Sequence, residues 1–516
     1  MESTKKTGSD GLTRRQVLKN SGLALGGLAL GNAIVGCGMD QARAGQQCGT
    51  NGCNYPVNPD TTVEYLYPNG LAQFTPNTPL DSDEMRITFL GTAFLPSRQA
   101  QQMMSIFVEV GPWVPVTGGP GKATDSFVFD CGVGSYTNYN AMGISPARMD
   151  KIFISHLHAD HMSDLSAIYC FGPSADRKWP LYVWGQGPSG VPNPSGSGPL
   201  YYDDGTFDFC DNLRKAMRWH SESFSFLATS YTNYPIPTRQ SWGLPCDPVP
   251  VGEDAANDGF AMVPIELDWT KYGKEPGDNV AYNNPTTGVK ITHFPVIHCR
   301  KGSMGYKLEW NGLTMIYTSD TRPESRCIDQ AKNGGKGVDV FIHEMILPPE
   351  LLTMKNYPGL TSPPPPGTNA SFDKAVQNTT NIENSSHTPQ GAFGYLLSQI
   401  TPRPRLTVIA HFPVADDTVS CAMKSVQAHF PQGGYPVFGR DIIWSTDLMV
   451  LRVKASGITQ QMGKVSGYAY SAPQDSSAPL GTPKYHTADG QSDPTAQLDQ
   501  TTLISPGNNT YCESGY

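Results

Sequence analysis

Residues 153–162 read Phe-Ile-Ser-His-Leu-His-Ala-Asp-His-Met, and this stretch constrains the chain more tightly than any other. Three imidazoles and a carboxylate fall within six positions, at His156, His158, Asp160 and His161. They follow Ile152-Phe153-Ile154, an apolar, β-branched run of the kind that forms a buried strand. The strand is predicted to end at His156, with the donors on the turn beyond its C-terminal edge. Such a donor set suits a borderline-soft divalent ion, zinc most often. His156 and His158 are two apart and point to one side of an extended chain. Asp160 and His161 then turn away, toward a second ion. The chain holds only eleven His, and three of them stand here beside an Asp. A chance cluster on a solvated loop is a poor account of that density.

Other strand-like runs end in residues that carry chemistry. Arg86 to Leu90 is predicted as the first strand, Ser105 to Val110 as the second and Ser126 to Phe129 as the third. The third ends at Asp130, where an acid can accept from a ligand imidazole or order the metal loop. Gly288 to Val296 leads to His298. His293 and His298 are five apart and face opposite sides of an extended segment. Gly305 to Trp310 and Leu313 to Thr318 read as a hairpin around Asn311-Gly312, and the second strand ends at Asp320. Val338 to Ile342 ends in His343-Glu344. Thr388-Pro389 starts a helix, with His387 just before it, open between a supporting role at the site and a plain loop. Leu406 to Ala410 ends at His411, and Asp441 to Val453 reads as a final strand.

The His-x-His-x-Asp-His pattern resembles the signature of the metallo-β-lactamase superfamily. Phe89-Leu90-Gly91-Thr92, Phe129-Asp130-Cys131-Gly132 and Ile152 to Leu165 occur in the order of its ribonuclease Z-like branch. The stretch from Pro295 to Glu309, Ser319-Asp320-Thr321, His343-Glu344 and His411-Phe412 resemble later motifs of that branch. The resemblance runs from Arg86 to Val453. It implies an α/β fold of the αββα sandwich type. It selects His298 over His293, because the branch places its ligand between a Pro and a Gly-Tyr pair. It assigns His156, His158 and His298 to a first metal. Asp160, His161 and His411 go to a second, with Asp320 between them.

The implied cofactors are two divalent ions, zinc first and manganese as the alternative. The implied chemistry is attack by a metal-bound hydroxide, with Asp160 orienting it and His343 protonating the leaving oxygen. Asp130 and Glu344 would support the ligands. Only the start of the His-Glu motif is present, since Met345-Ile346-Leu347 stands where Ala-Thr is typical. The expected substrate is a small-molecule phosphodiester or related ester. Lactones, aryl sulfates and β-lactams are the alternatives on the same site, with a non-catalytic metal-containing binding protein behind them.

The rest of the chain bears on targeting and on access to the site. Residues 1–44 read as a twin-arginine signal peptide: Thr13-Arg14-Arg15 to Lys19, then the apolar, Gly-rich stretch Gly22 to Val35. Ala42-Arg43-Ala44 offers a peptidase site, and Cys37 offers lipidation instead. The expected partner is therefore the twin-arginine export machinery, the expected location periplasmic or secreted, and membrane contact follows only from a lipid on Cys37. Residues 45–84 read as an extended lead-in, 85–454 as the hydrolase domain and 455–516 as a polar tail. Within the domain, 229–287 and 348–385 are Pro-rich and read as lid-like insertions. The formal charge of −9 is a poor footprint for a polyanion such as tRNA. Cys48 and Cys53 could form a clip and Cys512 could tie down the tail, whereas Cys131 and Cys299 read as packing thiols.

Overall fold

The computed structural model describes residues 71–465 except 95–98, 116–120, 176, 178, 194–199, 222–258, 276, 355–356, 358, 361, 415–418 and 431–433, together with a few positions between 487 and 495. The strands form two sheets. The first holds β1 (Ala72–Phe74), β2 (Met85–Gly91), β3 (Ser105–Val114), β4 (Lys122–Phe129), β5 (Lys151–Phe153), β6 (Leu181–Gln186), β7 (Met262–Leu267), β15 (Met449–Lys454) and β16 (Gly457–Gly463). Their order is β1-β16-β15-β2-β3-β4-β5-β6-β7. The second holds β8 (Val280–Asn284), β9 (Val289–Pro295), β10 (Met304–Trp310), β11 (Leu313–Tyr317), β12 (Val340–Glu344), β13 (Leu406–Ala410) and β14 (Ile442–Trp444). It runs β14-β13-β12-β11-β10-β9-β8. Strands β4 to β7 are parallel in the first sheet, and β11 to β14 are parallel in the second.

Strand alternation sorts the apolar residues into three clusters. Val340 and Ile342 face the other sheet, while Phe341 between them faces outward. Ile87, Phe129, Phe153 and Trp184 of the first sheet meet Tyr306, Met315 and Val408 of the second. The Phe153 and Trp184 rings stack there with centroids 4.6 Å apart. The outer face of the first sheet packs on α1 (Ser135–Ala141), α3 (Leu165–Ala175) and α4 (Thr206–Ala216), through Tyr139, Ile168 and Cys210. The outer face of the second packs on α5 (Ser325–Lys332), α8 (Gln390–Ser398) and α9 (Val419–Gln427), through Cys327, Phe393 and Val426. Helix, sheet, sheet and helix layers make the αββα sandwich. The short α2 (Ala159–Met162), α6 (Pro349–Met354) and α7 (Ala370–Ser386) complete the helices discussed here.

The structure departs from the sequence reading in four places. The insertion at 229–287 supplies body strands, since β7 and β8 extend one sheet each; residues 229–258 lie outside the described part. The insertion at 348–385 is largely helical, and Asn369 caps α7 by accepting from the Phe372 N–H at 3.1 Å. The single strand expected over Asp441 to Val453 is two strands on different sheets, joined by a crossing at 445–448 with Leu448 at φ 66°. The lead-in and tail meet: β1 pairs in parallel with β16, beyond the expected end of the body. β16 reads Gly-Ile-Thr-Gln-Gln-Met-Gly, which offers no apolar alternation to signal a strand. The export segment, Cys37, Ala44, Cys48, Cys53 and Cys512 lie outside the described residues. Among the described residues no helix is long and apolar enough to cross a membrane.

Candidate metal centre

The parallel strands of both sheets end at one edge, and the chemistry collects there. β4 ends at Asp130, and β5 feeds the turn with His156 and His158. α2 carries Asp160 and His161, and His298 follows β9. β11 leads to Asp320, β12 ends at Glu344 and β13 leads to His411. Three of these exits turn through left-handed backbone: Asp130 (φ 57°), Ser319 (φ 54°) and His411 (φ 56°). Non-glycine residues adopt that region at a cost of about 1–3 kcal/mol, and such strain gathers at functional sites.

Among the described residues, four overlapping donor groups converge here: two pair His387 with His298 and Asp320 or with Glu344 and His411, and the other two take in the residues expected as ligands. His156, His158 and His298 form one, and Asp160, His161, Asp320 and His411 the other; within each, the candidate ligand atoms lie within 4.8 Å of one another. Asp320 joins them. Its Oδ1 is 3.3 Å from His161 Nε2, and its Oδ2 is 3.2 Å from His411 Nε2. The same Oδ2 is 3.8 Å from His298 Nε2 and 3.9 Å from His156 Nε2. His158 Nδ1 faces His298 Nε2 at 3.1 Å, and Asp160 Oδ2 faces His411 Nε2 at 3.3 Å. His156 Nε2, His161 Nε2 and Asp320 Oδ1 are buried with no hydrogen-bond partner among the described residues. Converging lone pairs at the end of rigid strands fit a pair of divalent cations of the zinc class.

Hydrogen bonds on the far sides of the rings fix which nitrogen faces inward. His161 Nδ1 donates to Asp130 Oδ2 at 2.8 Å, leaving Nε2 as the donor atom. His298 Nδ1 donates to the Ser386 carbonyl, the last residue of α7, at 2.8 Å. His156 Nδ1 sits 3.1 Å from Ser155 Oγ. Asp130 is fully buried and anchors the whole turn. It also accepts from the Ser155 N–H and the Ser155 hydroxyl, each at 2.7 Å, and from the Tyr317 hydroxyl at 2.7 Å. This is the support expected of Asp130, and four donors give it a geometry a turn-opening Asp would not have.

Electrostatics separates the donors. Burial, with help from neighbouring His161, pushes His156 well below its ordinary value. Partial burial lowers His158, which keeps an exposed side, and fuller burial takes His298 to about 4. All three are therefore neutral ligands at pH 7. At His161 burial opposes charge, but Asp320, Asp160 and Asp130 outweigh it and raise it well above the ordinary value. Burial also opposes charge at Asp160, where His161 and His411 win and hold the carboxyl at about 2. The same contest leaves Asp320 well below the usual carboxylate range, through His411 and His161.

His343 is not in this site. It is fully buried behind it, with Nδ1 donating to the Glu344 carbonyl and its ring against Phe341 and Phe393. The reason is alternation: adjacent residues of β12 face opposite ways, so Glu344 points to the donors and His343 to the outer helices. Glu344 accepts from the Thr321 N–H and from His387 Nδ1 at 2.9 Å, and its Oε2 is 3.8 Å from His411 Nδ1. His387, left open by the sequence, lies beside the donors instead. Its Nδ1 is 3.9 Å from Asp320 Oδ2, and its ring lies 4.9 Å from that of His298 and 5.5 Å from that of His411. Burial disfavours its charge, but the Glu344 carboxylate prevails and lifts it to about 9. The signal available was position: His387 directly follows the last residue of α7, at the end of a long polar segment. Phe94 was also missed, and it stacks on His411 with centroids 5.0 Å apart. His293 is buried in β9 away from the donors, and Cys131 and Cys299 belong to neither donor group.

Residues 121–169, from β4 through the His156–His161 turn, match the Metallo-beta-lactamase superfamily. The chain has the metallo-β-lactamase fold. Ribonuclease Z of Pyrococcus furiosus is 26% identical over 269 residues, which is 50% of this chain and 74% of that protein. Ribonuclease Z of Treponema denticola is 39% identical over 61 residues, covering 12% and 20%. Ribonuclease BN of Citrobacter koseri is 30% identical over 107 residues, covering 21% and 32%. The alignment thus spans only a fifth of the Treponema relative and a third of the Citrobacter one. Among solved structures, the metallo-beta-lactamase fold protein YhfI of Bacillus subtilis aligns over 72% of this chain and 100% of its own, at 13% identity and a TM-score of 0.41. Human tRNase Z, short form, aligns over 71% and 98%, at 16% and a TM-score of 0.37. In this metallo-β-lactamase fold, His298, Asp320 and His411 lie outside the matched segment, and the geometry alone adds them to the turn.

Proposed function

We propose that the chain is an exported hydrolase that depends on two divalent metal ions, zinc by preference, and cleaves phosphodiesters. The observation that carries this reading is Asp320 standing between two donor groups, with His387 beside it. When bound, such a pair of cations supplies a water acidic enough to attack at neutral pH and positive charge for the transition state. The protein's own residues do the rest. Asp160, ionised at about 2, accepts a hydrogen bond from the attacking water and aims it. His387 keeps its Nδ1 proton on Glu344 and, charged to about pH 9, gives a proton to the leaving oxygen. Asp130 and the Ser386 carbonyl keep His161 and His298 from rotating.

The relatives named ribonuclease Z and BN favour a phosphodiester among the possible electrophiles. The formal charge of −9 favours a small diester over tRNA. Export rests on the Arg14-Arg15 segment of the sequence. The test is a panel on the zinc-loaded protein: bis(p-nitrophenyl) phosphate, p-nitrophenyl sulfate, an aryl lactone and a chromogenic β-lactam. The phosphodiester should turn over fastest, and chelation should abolish it. Faster cleavage of the sulfate or lactone would overturn the substrate class. No cleavage by a fully loaded protein would replace the hydrolase with a metal-containing binding protein.

A further inference from the structure

A cavity of about 500 Å³ opens beside the first donor group, with His156, His158 and His298 in its wall. Gln186, the last residue of β6, also lines it. Gln186 is two positions beyond Trp184, so it faces the same way, toward the space between the sheets. That space is otherwise filled by apolar side chains at this end of the strand, including Phe153 and Trp184. Gln186 is 8% exposed, and its Oε1 is buried without a hydrogen-bond partner among the described residues. A buried, unpaired amide oxygen is destabilising until a donor reaches it.

The surrounding backbone holds this residue in place. The Gln186 carbonyl accepts from Thr206 Oγ1 at 2.9 Å, and Gln186 pairs with Leu267 of β7. On the other side, a Cβ built on Gly302, in the turn after His298, would touch the Gln186 Cβ at 3.4 Å. The rest of the cavity wall is mixed. Leu157 and Phe209 give it apolar faces, and Asp203 and Asn212 give it polar ones. Arg300 and Lys301 also line the cavity, Arg300 in an ion pair with Asp204 at 2.6 Å. A cavity of this size holds a group as large as a nucleoside.

We propose that Gln186 is a specificity-determining residue, and that this cavity receives one ester arm of the substrate, an arm that presents an N–H or O–H donor to the Gln186 amide oxygen once the side-chain amide turns that oxygen toward the cavity. The inference rests on the phosphodiesterase reading for the substrate class, and on the cavity and the unpaired oxygen for the residue. It separates arms of nucleoside character, with donors on a partly apolar body, from plain aryl or alkyl arms. An apolar residue at position 186 would leave no unpaired oxygen and would not make this distinction.

Calorimetric titration of the zinc-loaded protein with two phosphomonoesters tests this without turnover. Thymidine 5′-phosphate carries donors and phenyl phosphate carries none beyond its phosphate. Wild type should bind the nucleotide about tenfold more tightly. Gln186→Leu should lose that tenfold and bind phenyl phosphate within twofold of wild type, at unchanged zinc content. Gln186→Glu keeps an acceptor and should retain the preference, which also serves if the leucine variant folds poorly. A preference unchanged in Gln186→Leu, equal weakening of both ligands, or a folded Gln186→Glu without preference would each overturn the assignment. If wild type cleaved no phosphodiester yet the binding preference collapsed as described, the reaction class would fail and the role of Gln186 would stand.

Discussion

Replacing Asp130 with Asn tests the anchoring of the metal turn with little disturbance to the backbone. Asp130 sits at φ 57°, a conformation Asn also tolerates, so the change removes charge without refolding the exit from β4. Oδ2 accepts from His161 Nδ1, Ser155 Oγ and Tyr317 Oη, and Oδ1 accepts from the Ser155 N–H. Whichever way the new amide turns, its NH2 meets at least one donor, and the remaining bonds lose their charge assistance. Bonds to a charged group contribute about 1.5–3 kcal/mol each, against about 0.5–1.5 for neutral ones. Loss of orientation at one ligand typically weakens metal binding by about 10–100-fold. His161 belongs to the Asp160, His161, Asp320 and His411 group. Zinc titration of Asp130→Asn should therefore show one site weakened by about 10–100-fold and the other by less than about fivefold. Two sites with wild-type affinity would refute the claim that Asp130 holds His161 as a ligand.

Four further outcomes are expected. A chelator should abolish activity and zinc or manganese should restore it, while His158→Ala and Asp320→Ala should lose metal and activity together; normal turnover in either at full metal content would end the assignment. His387→Asn should lower kcat by about 10²–10⁴-fold with metal retained, whereas His343→Asn should stay within about tenfold, and the reverse ranking would restore His343 as the proton donor. Zinc loading at pH 7 should release at least one proton, because His161 is raised well above its ordinary value and must give up its proton to become a ligand. Affinity should accordingly rise with pH, and equal heats in buffers of different ionisation enthalpy would contradict this. Trp184→Ala should lower stability by about 3–5 kcal/mol, read as a large drop in Tm, since its ring is stacked on Phe153 between the sheets.

The donors were legible because each stands at the end of an apolar run, and strand ends are where this fold exposes side chains. His411 after Leu406–Ala410 and Asp320 after the Asn311-Gly312 hairpin could be placed from sequence for that reason. The proton donor was misjudged because neighbouring residues of one strand face opposite layers. His343-Glu344 sits at a strand end, and only the register of β12 decides which of the two looks inward. His387 was left open and Gln186 passed over for a different reason: their contacts are with distant residues, Glu344 in one case and the turn after His298 in the other. The second insertion was read as loop because of its proline density, while Asn369 caps a 17-residue helix that starts immediately after the proline run and its following turn.

The C-terminal end of α7 touches two parts of the centre through consecutive residues. The Ser386 carbonyl fixes a ligand of one donor group, and His387 reaches across to Glu344 and Asp320. A shift of that helix by a fraction of an ångström would therefore loosen an ion and misplace an acid together. Sequence changes anywhere along 370–386 can tune turnover without altering a single residue that contacts substrate, so natural variation there would be a dial for rate rather than for selectivity.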